Sequence, residues 1–159
     1  MKIRGIIFSG EMVRAIVDDR KSVTRRLDKS WLKYKKGDEL WVRETFAIND
    51  HKQIAYRADG TVLDGIRWGF PRFMPRWASR ITLTLTEDAR LERLQDMIPA
   101  EIQKEGCPFS FSGTSPEEAP DWYGWWIPLW DSLHKPGEQW EDNPEVVRLC
   151  WGGVRWESK

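Results

Sequence analysis

From Ile81 to Leu85 isoleucine and leucine alternate with threonine, and this period of two constrains the fold more than any other stretch of the chain. Successive strand side chains point to opposite faces, so ITLTL makes a strand with one apolar and one polar side. The same rhythm returns in GDELWVRETFAI. There Leu40, Val42 and Glu44 face one way and Trp41, Arg43 and Thr45 the other, behind a Gly37-Asp38 turn. Ile3 to Phe8, QIAYRA up to the Asp59-Gly60 turn, and PEVVRLCWGGVRW read as further short strands, the last bent at Gly152 and Gly153. Helical signals are few and short. Ser9 can cap a helix from about Gly10 to Asp19, with Met12, Val13, Ile16 and Val17 on one face. Pro99 opens a second, PAEIQKE, which Gly106 closes, and Pro128 starts a third, PLWDSLHK. With no regular βαβ alternation, the pattern predicts an α+β fold built as a small mixed β-barrel with short inserted helices, not a doubly wound sheet.

A chain of 159 residues with 40% hydrophobic residues is the size of one domain and can bury a core without staples, so residues 1–159 are expected to form a single unit. Two stretches stand out from it: an arginine- and aromatic-rich loop at about 61–77, and a tryptophan-rich insertion at about 107–140. Two cysteines are too few for a disulfide framework, which points to a reducing, cytoplasmic setting. The only apolar run near the start, Ile6 to Phe8, is too short for an export signal, and no stretch is long enough for a membrane span. Cys107, Cys150, His51 and His134 show neither a C-x-x-C nor an H-x-x-x-H spacing, so neither a metal nor another cofactor is expected. The net charge of zero conceals a basic part up to about residue 86 and an acidic one from there to about 145. A basic face of that kind attracts phosphates. Most of the eleven tryptophans must line the core or a cleft, and a few at a cleft would suit stacking on a nucleobase.

Three constellations carry chemistry. DDRKSVTRRL, residues 18–27, crowds Arg20, Lys21, Arg25 and Arg26 around the hydroxyls of Ser22 and Thr24. A lysine beside a threonine hydroxyl is a base beside a nucleophile, provided that burial or nearby cations lower its pKa. Residues three apart in a strand face opposite ways, so Lys21 and Thr24 can meet only if the chain turns between them; the alternative is a solvated turn into an edge strand. In IRWGFPRFMPRWASRI, Arg67, Arg72, Arg76 and Arg80 interleave with Trp68, Phe70, Phe73 and Trp77 and no acid intervenes. That is chemistry for phosphates and stacked bases, or a loop whose rings plug the core. Glu44 and Glu105 are carboxylates that could accept from the exocyclic amine of cytosine, although Glu44 beside Arg43 could equally be half of an ion pair. Trp122, Trp125, Trp126 and Trp130 have helical spacing, interrupted by Gly124 and Pro128, and read first as a core layer.

The blocks FSGEMVRAIVDDRKSVTRR, GDELWVRETFA, MPRWASRITL, RLQDMIPAEIQKEG, LWDSL and NPEVV, in this order, resemble ASCH-domain proteins, in particular a group common in bacteriophage and prophage genomes. The resemblance spans nearly the whole chain and implies a PUA-like barrel, a fold related to RNA-binding modules. Some small bacterial members are amidohydrolases that remove acyl groups from N4-acetylcytidine, with a lysine and a threonine in a G-R-K-T-x-T-x-R segment and a glutamate further on. Carried over by motif, these fall on Lys21, Thr24 and Glu105, with Asp19 in place of the usual glycine and Ser22 in place of the first threonine. The expected activity is hydrolysis of the amide of an N4-acylated cytosine or cytidine, with Ser22, Arg26, Arg43, Glu44, Arg76, Trp77 and Arg80 as substrate-binding residues. The expected partner is a modified cytidine nucleoside or RNA, with no metal and no membrane. The alternative is a non-catalytic PUA-like RNA-binding protein in which Arg43, Arg72, Arg76 and Arg80 meet phosphates; a protein-interaction role using the tryptophans ranks third.

Overall fold

The computed structural model describes residues 1–61, 65–109, 117 and 119–159, so parts of the 61–77 loop and of the 107–140 insertion lie outside the described residues. Among the described residues the strands are β1 (Ile3–Ile7), β2 (Val23–Arg26), β3 (Glu39–Arg43), β4 (Phe46–Ile48), β5 (Ile54–Tyr56), β6 (Ile81–Leu85), β7 (Arg90–Arg93) and β8 (Glu145–Trp156), and the α-helices are α1 (Gly10–Val17), α2 (Pro99–Lys104) and α3 (Trp122–Leu133). The main sheet runs β1-β3-β6-β8-β2, with β7 also paired to β8 and with β1 and β3 parallel; β4 and β5 form a separate hairpin. The architecture is mixed α+β with a curled, half-barrel sheet and few helices.

The curl depends on β8. Its first half pairs with β2 on one side and β7 on the other, and its second half pairs with β6. The register with β6 shifts between Thr84 and Leu85, and a bulge of this kind bends a strand and increases its twist. Gly152 and Gly153 therefore sit inside one continuous strand instead of dividing it, and a Cβ on Gly152 would stand only 2.7 Å from a methyl of Thr86. The alternation in the sequence is realised as expected: Leu40, Val42, Ile81, Leu83 and Leu85 join Ile6, Val13, Ile16, Val147, Leu149 and Trp151 in the main core, under α1. A second core packs Leu94, Met97, Ile102, Trp126, Trp130 and Val146 on the other side of β8.

Helix α1 starts on Ser9, whose hydroxyl accepts from the amide of Met12. It ends in a Schellman turn, with the amide of Asp19 on the carbonyl of Ile16 and that of Arg20 on the carbonyl of Ala15. Asp19 takes the left-handed position of that turn, with φ 62°, which glycine would occupy without strain and aspartate tolerates better than most residues. The departure from the glycine of the resembled motif thus leaves the turn in place. Helix α3 differs from the sequence reading. Pro128 lies inside it, not at its start, and Asp121 caps it through the amide of Gly124. A proline there forfeits one helical hydrogen bond, but burial of Trp126 and Trp130 on the same face holds the helix together.

Candidate functional site

Three pieces of chain meet at the edge strand β2. The Schellman turn brings Lys21 out of α1, β2 carries Thr24, Arg25 and Arg26, and the end of α2 carries Glu105. Lys21 and Glu105 form an antiparallel bridge, and the amide of Ser22 donates to the carbonyl of Lys104, so the end of α2 is pinned alongside residues 21 and 22. The approach requires Gly106: its φ is 103°, and a Cβ there would lie 2.9 Å from the Ala15 Cβ and 3.3 Å from the Lys21 Cβ.

A cleft of about 490 Å³ opens at this edge. Lys21, Thr24, Arg26 and Glu105 all line it, with Phe8 and Met12 from the α1 side and Trp126, Trp130 and His134 from α3. Lys21 Nζ donates to Glu105 Oε2 at 2.8 Å and to the Glu105 carbonyl at 3.0 Å, and both side chains are almost wholly buried. The other Glu105 oxygen accepts from Arg25 Nη1 at 2.9 Å. Burial pulls the Lys21 pKa down and outweighs the opposing pull of Glu105, with Arg26 and Arg25 lowering it further. Phe8 lies between two cations, 5.7 Å from Lys21 Nζ and 5.0 Å from the Arg26 guanidinium. Arg26 donates to the carbonyl of Ile7 at 2.8 Å and forms no ion pair among the described residues. The Thr24 hydroxyl makes no side-chain hydrogen bond to a described residue. On the wall from α3 the Trp130 and His134 rings stack at 3.7 Å, and His134 Nδ1 lies 2.7 Å from the Trp130 carbonyl.

Behind the cleft the charges continue as a chain. Arg25 also donates to Glu92 at 2.7 Å and to Glu101 at 2.7 Å, and Arg148 donates to Glu101 at 2.8 Å and to Glu87. Burial works against ionising Glu101, but hydrogen bonds from Arg148 and Arg25 overcome it and bring the pKa down to about 2. Directly opposed residues of paired strands share a face, which is why Arg25 on β2 and Arg148 on β8, partners in register, both enter this network.

The remaining expected binding residues lie elsewhere. Glu44 is fully buried under the fork of Arg80, at 3.0 and 3.1 Å, and Arg80 also holds Asp59 at 2.9 Å and stacks over Tyr56. Its partner is Arg80, not its neighbour Arg43. Ser22 does not line the cleft; its backbone is spent on Lys104 and Trp151. Arg76 and Trp77 line a separate depression of about 320 Å³ with Trp41, on which the Arg43 guanidinium stacks at 4.8 Å. Sequence reasoning missed Glu101, Arg148, Trp126, Trp130 and His134 as surroundings of the cleft. Two signals were available: Glu101 and Glu105 are one helical turn apart on α2, and Trp126, Trp130 and His134 keep helical spacing straight through Pro128.

Together these features define an α+β protein with a half-barrel sheet and an aromatic-walled cleft floored by a buried Lys-Glu-Arg cluster. Compared with protein-family models, with curated proteins and with solved structures, the chain shows no match. Among the described residues no group of three or more His, Cys, Asp or Glu could hold a metal ion, and no helix is long and apolar enough to cross a membrane.

Proposed function

We propose that the chain is an amidohydrolase that cleaves the amide of an N4-acylated cytosine or cytidine, using Thr24 as nucleophile and Lys21 as its base. The observation that carries this reading is the convergence of Lys21, Thr24 and Glu105, from three separate elements, on one cleft of ligand size with aromatic walls. It agrees with the resemblance to ASCH-domain amidohydrolases, and a half-barrel sheet is compatible with their PUA-like fold.

In the proposed reaction neutral Lys21 takes the Thr24 proton as Oγ1 attacks the acyl carbonyl. The negative charge that develops on the carbonyl oxygen needs a donor. Arg26 is the group suited to it, since it lines the cleft and carries no carboxylate, whereas Arg80 is committed to Glu44 and Asp59. Collapse breaks the C–N bond, and the exocyclic nitrogen takes back the proton from the Lys21 ammonium. Water then attacks the acyl-threonine with Lys21 taking its proton; the acyl C–O bond breaks, Thr24 Oγ1 takes that proton from the Lys21 ammonium, and the carboxylic acid leaves. Glu105 holds Lys21 in place, and each of its oxygens has a second lone pair for the amine of the base.

The test is chromatographic conversion of N4-acetylcytidine to cytidine by the native chain and by Thr24→Ala and Lys21→Met variants of verified fold. Both variants are expected to lose at least about a hundredfold in kcat/KM. Undiminished turnover by Thr24→Ala would remove the nucleophile from the scheme.

A further inference from the structure

The face of the main sheet that points away from the core is only partly covered, and it continues into the cleft. Cross-strand partners on it are Ile7 with Arg43, Gly5 with Trp41, and Trp41 with Thr82. Ile7 is exposed there and is at the same time a lining residue of the cleft. Gly5 makes room for its neighbours: a Cβ at that position would stand 2.8 Å from the Trp41 ring and 2.9 Å from Arg43 Cδ. The indole and the arginine stacked on it therefore lie down across β1. Beyond Trp41 come Arg76 and Trp77, the latter 54% exposed. The same loop displays Phe70 and Phe73, each about two-thirds exposed, with the Arg72 guanidinium 4.7 Å from the Phe73 ring.

The charges on this surface have one sign to spare. Arg43, Arg72 and Arg76 form no ion pair among the described residues, although Arg76 shares its depression with Glu157 and joins Lys159 in lowering the Glu157 pKa. Of the described carboxylates nearby, Glu39 pairs with Arg155 and Glu157 with Lys159. Arg43 Nε is buried without a hydrogen-bond partner among the described residues. Guanidinium groups that no carboxylate clamps, interleaved with exposed aromatic rings, complement a partner that repeats an anion and a planar ring along its length.

We propose that this face is a track for single-stranded nucleic acid, and that the N4-acylcytosine reaches the cleft as one residue of a polynucleotide. The reactive base enters past Ile7, a neighbouring base stacks on Trp77, and phosphates meet Arg43 and Arg76. This extends the amidohydrolase reading by naming the form of its substrate.

Fluorescence anisotropy of the full chain with a short, labelled, cytosine-containing single strand without acyl groups, made once as RNA and once as DNA, tests the track without calling on turnover. Binding to at least one strand is expected, weakening as salt rises. Trp77→Ala should weaken it about tenfold, and Arg76→Gln should reduce the dependence of log affinity on log salt by about one. Thermal melts followed by circular dichroism check that both variants are folded. Failure of both strands to bind, binding unaffected by either variant, or preference for anionic lipid vesicles over both strands would each overturn the proposal. Hydrolysis of free N4-acetylcytidine could still stand in those cases, and oligonucleotide binding would survive a failure of hydrolysis.

Discussion

At the scale of the residue, Lys21 is the decisive group. It is buried against a carboxylate that favours its charge and in surroundings that oppose it, and the opposition prevails. If Lys21 must be neutral to accept the Thr24 proton, kcat/KM for N4-acetylcytidine should rise with pH along a limb whose midpoint lies below the 10.5 of an ordinary lysine. Glu105→Gln withdraws the carboxylate that raises the Lys21 pKa, so it should move that limb to lower pH; a limb that stays in place would mean Lys21 is not the titrating base. How far this was legible in the sequence differs from residue to residue. The crowding of Lys21, Thr24 and Arg26 into one segment is local and visible. The buried pair of Glu44 with Arg80 joins residues that neither periodicity nor a motif relates, and it becomes readable only when β3 and the end of the 65–80 loop are placed side by side.

At the scale of the element, α2 matters less for its six residues than for where it stops. Gly106 has a left-handed backbone and leaves no room for a Cβ beside Ala15 and Lys21. Gly106→Ala should therefore cost more than about 1 kcal/mol in chemical denaturation and also lower turnover, because it pushes Glu105 away from Lys21. An unchanged midpoint would show that the contact between α2 and residue 21 yields without cost. The sequence marked Gly106 correctly as a helix stop but not as a spacer, since the crowding comes from Ala15 on α1 and from Lys21 just after it. Helix α3 was legible from its tryptophan spacing yet divided at Pro128, because propensity is judged locally while burial of Trp126 and Trp130 is tertiary.

At the scale of the whole molecule, several short strands without βαβ alternation predicted a small mixed barrel, of which the structure shows a curled half-barrel sheet, but nothing in them told that β8 would serve both of its halves. The ionic chain from Lys21 to Glu87 spans β2, α2 and β8, and it ties acid stability to Glu101. With a folded pKa of about 2, well below the roughly 4.3 of an unperturbed glutamate, Glu101 stabilises the fold fully above the unfolded value and loses that contribution as pH falls toward the folded one. The urea midpoint should drop across that interval, and Glu101→Gln should flatten the drop; an equally steep fall in the variant would place the acid sensitivity elsewhere. The shared strand has one more consequence, for the order of events during synthesis. Because β8 follows every other strand in the sequence, β2 and β7 have no sheet partner, and β6 has only β3, until a segment made after them appears. A chain stalled on the ribosome before Glu145 can pair β1, β3 and β6 and the β4-β5 hairpin but should remain open to protease around β2 and β7, whose protection should arrive together once β8 is made.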